Sequence, residues 1–399
     1  MPAPRELLPL RLPDAASGWT RPLLDDVLAA LRAGLSGTGP AVRPLEPGRS
    51  AVAVALTGLD DDPQDPTAAA VATSGSTGTP RLTLLPASAL LASVSATHDH
   101  LGGPGHWALA LPVHHVAGLQ VLYRSLVAGT VPVPVASPDG FRAAAFADAV
   151  DALAGPRRYS AVVPTQLTRL LDDPRGLAAL RALDAVLVGG AATPPALLQR
   201  AREAGVAVVT TYGMSETCGG CVYDGVPLDG VLVELDDDGR IVLGGPVLAR
   251  GYLDLGPRRH RRAATSGFAW AADGTRRFLT SDRGSWDGER LAVHGRLDDV
   301  VVTGGEKVDP AAVEAVLVEL DGVSEAVVVG VPDPHWGQAV AAGVVLAPGA
   351  QPPDLDAVRD LVGRRLGRAA APRVLRVLPE LPVRGPGKPD REAARHLLG

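Results

Sequence analysis

The chain has 399 residues, of which 46% are hydrophobic, and a formal net charge of −6. That excludes a disordered polymer and leaves room for two or three domains with a sizeable core. The 44 acidic residues against 38 basic ones argue against a nucleic-acid scaffold. The start, Met1 to Glu6, lacks a basic segment followed by an apolar stretch, so it does not read as a signal peptide. No run of 18 apolar residues occurs. The two cysteines, Cys218 and Cys221, form one CxxC. A zinc site needs two further ligands at suitable spacing, and a redox pair would open a helix in a small βαβ domain. Two reduced thiols in a glycine loop, in a cytoplasmic protein, is the simpler reading.

In chain order, residues 20–35 form an amphipathic helix with Leu23, Leu24, Val27, Leu28 and Leu31 on one face. A strand is expected over 51–57, an acidic loop over 60–66 and a strand over 69–73. The next residues, Thr73-Ser74-Gly75-Ser76-Thr77-Gly78-Thr79, carry four hydroxyl side chains beyond Thr73 and two glycines. Glycine lets backbone N–H groups approach an anion, and hydroxyls add donors, so the run can wrap nucleotide phosphates. It lacks the Lys of a P-loop, and alone such a run is more often an ordinary turn or linker.

A helix is expected over 87–100. His98, His100 and His106 read as surface or helix-end residues, because no carboxylate or Cys sits at ligand spacing. An apolar strand over 108–111 breaks at Pro112 and leads through His114 and His115 into a helix with Tyr123 and Arg124. Strands follow at 131–135, 161–164, 185–188 and 206–210, with helices at 141–154, from Gln166, and at 194–204. This alternation predicts a parallel sheet with helices on its faces, and ligands at the carboxyl ends of its strands.

After residue 225, Asp/Gly turns suggest a small β-rich subdomain, and the basic segment 256–277 an exposed loop or hairpin. From 299 the order ββ, α (310–320), β (325–331), β (340–347), α (354–366), β (374–378) describes a compact α+β domain. The division is expected at residue 297/298, giving domains 1–297 and 298–399.

Six segments now stand in order: Thr73–Arg81, Leu111–Gly118, Tyr212–Glu216, Thr280–Gly284, Gly295–Gly305 and Leu381–Lys388. From about residue 68 onward the chain resembles the adenylate-forming enzymes, which include acyl-CoA synthetases, peptide-synthetase adenylation domains and luciferases. Val163–Leu167, Leu187–Ala192 and Ser215–Gly230 are similar to the actinobacterial subgroup that joins 2-succinylbenzoate to CoA in menaquinone biosynthesis. Another aryl- or acyl-CoA ligase, and a stand-alone enzyme loading a carrier protein, are the alternatives.

The resemblance implies an α/β N-terminal domain with a β-rich subdomain and a small mobile C-terminal domain. It implies ATP, Mg²⁺ and CoA, in a cytoplasmic protein without nucleic-acid partners, and leaves a homodimer open. Thr73, Ser74, Gly75, Ser76, Thr77 and Gly78 would hold the β- and γ-phosphates. Arg81 stands where the family usually has Lys, a fork of donors in place of a point charge. Gly190, Ala191, Tyr212 and Gly213 would frame the nucleotide, with Tyr212 stacked on adenine. Asp282 and Arg296 would hold the ribose, and Glu216 a magnesium ion. Lys388 would bridge the substrate carboxylate and the α-phosphate, and His115 would lie beside the carboxylate. Asp298 would be the hinge, and the turn containing Gly305 would line the path of CoA. Arg124 and Gln166 are candidates for the substrate's other polar groups; a helix-surface Arg and a helix-start Gln are the plain alternatives.

Overall fold

The structure, a computed structural model, describes residues 5–13, 18–57, 60–73, 81–136, 140–254, 263–264, 267–384 and 388–399, with the backbone alone at 73, 263, 264, 384 and 388. It divides into two compact units. The first comprises residues 1–233 and 242–279, the second 234–241 and 280–399.

The first unit opens with β1 (Glu6–Leu10), α1 (Arg21–Leu35), β2 (Ala41–Pro44), β3 (Val54–Ala55), β4 (Thr67–Thr73), β5 (Arg81–Pro86) and α2 (Ala87–His100). It continues with β6 (His106–Leu109), α3 (Val116–Ala128), β7 (Val133–Pro134), α4 (Ala143–Asp151), β8 (Arg158–Val162), α5 (Pro164–Asp172), α6 (Pro174–Arg181), β9 (Ala185–Val188) and α7 (Pro195–Glu203). Then come β10 (Val208–Met214), β11 (Gly219–Tyr223), β12 (Val226–Pro227), β13 (Leu232–Leu235), β14 (Arg240–Gly244), β15 (Gly251–Asp254), β16 (Ala263–Ala264), β17 (Phe268–Trp270) and β18 (Arg276–Trp286); the end of β13, the start of β14 and the last residues of β18 belong to the second unit.

Helix starts follow side-chain chemistry. The Thr20 hydroxyl accepts from the Leu23 N–H at 3.4 Å and α1 buries Leu24, Val27, Leu28 and Leu31, so its apolar stripe faces inward. Asp173 caps α6 through the Gly176 N–H at 2.8 Å, with Pro174 in the first turn, where its missing donor costs nothing. All four residues of β9 are buried, as expected of a strand covered on both faces.

Two sheets result where the alternation predicts one. The first runs β16-β15-β5-β4-β2-β1-β3 and is mixed: β1–β2 and β2–β4 are parallel, β4–β5 and β5–β15 antiparallel. The second runs β12-β11-β10-β9-β8-β6-β7. Its stretch from β7 to β10 is parallel, and β11 and β12 extend it antiparallel. A core of Phe146, Leu167, Leu170, Leu180, Val186 and Val188 lies where α4, α5 and α6 cover this sheet. Among the described residues the apolar run 51–57 is strand only at Val54–Ala55, and Val52 is 81% exposed.

The second unit contains β19 (Leu291–Arg296), a single turn at Leu297–Asp299, β20 (Val301–Thr303), β21 (Glu306–Val308), α8 (Pro310–Leu317), β22 (Val323–Asp333), β23 (Gly337–Leu346), α9 (Leu355–Leu366), β24 (Val374–Val377), β25 (Val383–Arg384), β26 (Lys388–Pro389) and α10 (Arg391–Leu398). Its main sheet has the order β21-β20-β23-β22, with β24 parallel to β23. Helices α8 and α9 bury Val313, Leu317, Val358 and Val362 on one face, and α10 buries Ala394 and Leu398 on the other. The expected ββαββαβ order holds, and α10 adds to it. Of the segment 256–277, residues 268–270 and 276–278 form a hairpin, while much of 255–266 lies outside the described residues.

Candidate active site

In the second sheet, β6, β8, β9 and β10 all run the same way, so their carboxyl ends share one edge. His115, Gln166, Gly190 and Glu216 follow those four strands directly, the position where open α/β sheets bind ligands. His115 precedes the first turn of α3, and its ring lies 4.3 Å from that of His114. Gly118 allows that helix to start so close to Pro112: a Cβ there would meet the Pro112 carbonyl oxygen at 2.3 Å. The Gln166 amide is largely committed to the scaffold. Its oxygen accepts from the Val163 N–H at 2.9 Å, and its nitrogen donates to the Ala110 carbonyl at 3.1 Å. The other amide hydrogen has no partner among the described residues.

Tyr212 lies at a bulge in β10, where the pairing with β11 shifts register before Gly213. The backbones meet so closely that a Cβ on Gly213 would stand 2.1 Å from the Gly219 carbonyl oxygen. Gly190 turns the chain out of β9 at φ 81°, with Ala191 partly exposed beside it. The hydroxyl-rich run connects β4 to β5, with Thr73 paired to Arg81 across it. Ser74, Gly75, Ser76, Thr77 and Gly78 lie outside the described residues, as does the side chain of Thr73.

Beside that connection stand groups that sequence reasoning missed. The Tyr252 hydroxyl donates to Glu216 Oε1 at 2.8 Å. Burial and the Glu216 charge push the Tyr252 phenol well above its ordinary range, so it remains a donor. The Arg81 guanidinium lies 5.8 Å from the Tyr252 ring centroid, with its Nε 3.4 Å from Asp254 Oδ1. Pairing of β15 with β5 brings Asp254 opposite Arg81 and Tyr252 opposite Thr83. No local motif marks Tyr252; only the sheet register reveals it. Glu216 is a hard oxygen donor suited to Mg²⁺, and no group of three or more acidic, His or Cys side chains fit for a metal occurs among the described residues. An ion held here would draw its other ligands from phosphate and water.

Arg124 is not on the helix surface. It is 3% exposed, donates to Thr97 Oγ1 at 3.3 Å and to the Tyr223 hydroxyl at 3.2 Å, and lies 5.0 Å over the Trp107 ring. It forms no ion pair among the described residues. His98 is also buried, contrary to the surface reading, because α2 turns that face against α3 and β11. Burial, reinforced by the Arg124 charge, lowers its pKa to about 4. His100 stands edge-on to Tyr223 at 5.2 Å. Gln120 and Ser93 both donate to the Cys218 carbonyl. Cys218 and Cys221 are free and buried, and burial pushes the Cys221 thiol up to about 12, so neither is a reactive thiolate.

In the second unit, Asp282 on β18 and Arg296 on β19 are cross-strand partners, with Arg296 Nη1 3.5 Å from Asp282 Oδ1. The same guanidinium reaches Asp298 Oδ2 at 3.2 Å, so a charged chain runs from Asp282 to Asp298. Gly304 and Gly305, at φ 58° and 85°, make the two-residue turn between β20 and β21. Gly304 lies against Trp336, where a Cβ would meet ring carbon Cε3 at 2.5 Å. Lys388 opens β26 and pairs with Arg384; its side chain is outside the described residues.

Residues 46–253 match the family described as AMP-binding enzyme, and residues 312–388 match its C-terminal domain. The chain belongs to the AMP-binding enzymes. It is 45% identical to a probable 2-succinylbenzoate–CoA ligase of Mycobacterium tuberculosis, across 92% of this chain and 94% of that protein. Among solved structures it resembles an amide bond synthetase from Marinactinospora thermotolerans (TM-score 0.71, 27% identity, covering 91% of this chain and 76% of that one). It also resembles the o-succinylbenzoate coenzyme A synthetase of Bacillus subtilis in complex with AMP (TM-score 0.67, 26% identity, covering 88% and 74%).

Proposed function

We propose that the protein is an acid–thiol ligase that joins 2-succinylbenzoate to CoA at the expense of ATP, a step of menaquinone biosynthesis in the cytoplasm. The observation that carries this reading is the 45% identity to a probable 2-succinylbenzoate–CoA ligase over 92% of the chain.

A carboxylate is a poor electrophile. In the first half-reaction its oxygen attacks the α-phosphorus of ATP, and pyrophosphate leaves with the bonding electrons. In the second, the CoA sulfur attacks the resulting acyl-adenylate and AMP leaves. Like charges meet in the first step, so a fixed cation and donors are needed. Lys388 supplies that cation. Residues Thr73 to Gly78 and Arg81 hold the outer phosphates, and Glu216, oriented by Tyr252, would hold Mg²⁺, which would screen phosphate charge. Tyr212, Gly213, Gly190 and Ala191 frame the adenine, while Asp282 accepts from the ribose hydroxyls beside Arg296. His115 lies beside the carboxylate being activated. Asp298 absorbs the backbone change between half-reactions, and the turn at Gly305 lines the path of the thiol.

The substrate's second carboxylate needs a cation, and Arg124, 3% exposed and enclosed by Thr97, Trp107 and Tyr223, would have to be uncovered to meet it. The spare amide hydrogen of Gln166 suits the ketone. The direct test is thioester formation with 2-succinylbenzoate, benzoate and a long-chain fatty acid. A preference of at least a hundredfold in kcat/KM for the dicarboxylate is expected, about 3 kcal/mol from a buried charge-assisted pair. Equal use of the three acids contradicts the narrow reading.

A further inference from the structure

Within the second unit, one arginine holds together the segments on which the proposed reaction turns. Arg391 is the first residue of α10, three positions after Lys388. Its Nε donates to Asp299 Oδ2 at 2.8 Å, and Asp299 is the neighbour of Asp298. Its Nη1 donates to Glu314 Oε1 at 2.5 Å and to the Val328 carbonyl at 2.6 Å, and Nη2 lies 3.2 Å from Glu314 Oε2. Glu314 also accepts from the Val328 N–H at 2.7 Å. The three side chains are about one-fifth exposed, at 18% for Arg391 and Glu314 and 21% for Asp299. The guanidinium therefore joins four elements: α10, the turn at 297–299, α8 and β22.

The hairpin bearing Lys388 needs such an anchor. Among the described residues, strands β25 and β26 pair only with each other, over two residue pairs. Asp390 fixes the far end, its N–H donating to the Pro382 carbonyl at 2.7 Å and its carboxylate accepting from the Glu392 and Ala393 N–H groups at 3.2 and 3.1 Å. Ala394 and Leu398 then seat α10 on β22. Arg391 alone among these links the Lys388 segment to the turn beside Asp298.

We propose that Arg391 is a positioning residue for Lys388: it locks the catalytic hairpin to the segment beside the hinge. A backbone change at Asp298 then carries Lys388 to one fixed place. The inference rests on the functional reading above, in which Lys388 serves the first half-reaction, where like charges meet. Its signature is a split between half-reactions, which general loss of packing would not produce.

The test measures adenylation as ATP–pyrophosphate exchange with 2-succinylbenzoate, and thioester formation from the synthetic acyl-adenylate and CoA. Arg391→Gln is expected to slow the first at least tenfold and to leave the second within about twofold. Arg391→Lys, a point charge in place of a fork, is expected to recover part of the loss. Because Arg391→Gln leaves the half-buried Glu314 without its cation, a fold-preserving variant is needed beside it. Asp299→Ala removes only the hinge-side contact and keeps the Glu314 pair, and should show the same split at unchanged thermal stability. Equal slowing of both half-reactions in Asp299→Ala, or no slowing of either, overturns the proposal. Absence of pyrophosphate exchange in the unaltered protein instead overturns the functional reading beneath it.

Discussion

At the scale of single residues, the site joins groups that a motif announces to groups that only the fold supplies. Glu216 follows its strand where the sequence predicts it. Tyr252, which donates to it, is visible only once β15 lies on β5. The surface readings of Arg124 and His98 fail for the same reason. Polar residues on a helix suggest a surface, and periodicity cannot tell which of two flanking faces is covered. His98 offers a check on that burial. Its imidazole stays neutral in the folded protein down to about pH 4, whereas the unfolded chain takes up a proton near the ordinary value of 6.5. Its contribution to stability is therefore complete above pH 6.5 and declines as the pH falls from there towards 4. Nε2 of this ring has no hydrogen-bond partner among the described residues, so an apolar replacement costs little there. Denaturation of His98→Leu between pH 7 and 4 should show a shallower loss of stability than the unaltered protein. Identical slopes would mean that this ring protonates freely in the folded state.

At the scale of elements, long periodic segments were legible and short pairings were not. Helices α1, α2 and α7 lie within one residue of the expected bounds, because each carries a continuous helical pattern. The pieces β1, β2, β5 and β11 escaped, since four to six residues carry little period of their own. Strand β10 was expected to end at residue 210 and runs to Met214. There the glycine-containing motif reads as a loop, yet Gly213 permits close pairing with β11. Gly213→Ala puts a methyl group 2.1 Å from the Gly219 carbonyl oxygen. The strands must part, at a cost of about 1–3 kcal/mol in unfolding free energy by urea titration. An unchanged midpoint would show that the bulge has room to spare.

At the scale of the whole molecule, the order of elements in each unit follows the sequence pattern, while the splitting of the first unit into two sheets does not. Alternating β and α segments specify parallel neighbours but not which strands share a sheet. The chemistry proposed for this chain concentrates on one cation near the C-terminus. Its segment is tied by Arg391 to Asp299, in the turn that contains Asp298. Comparing ATP–pyrophosphate exchange with 2-succinylbenzoate in the unaltered protein and in Lys388→Ala tests the account most directly. Loss of a charge that acts on the transition state should lower the rate by about 10²–10³-fold, while thioester formation from the synthetic acyl-adenylate continues. Equal exchange rates in the two proteins would contradict it.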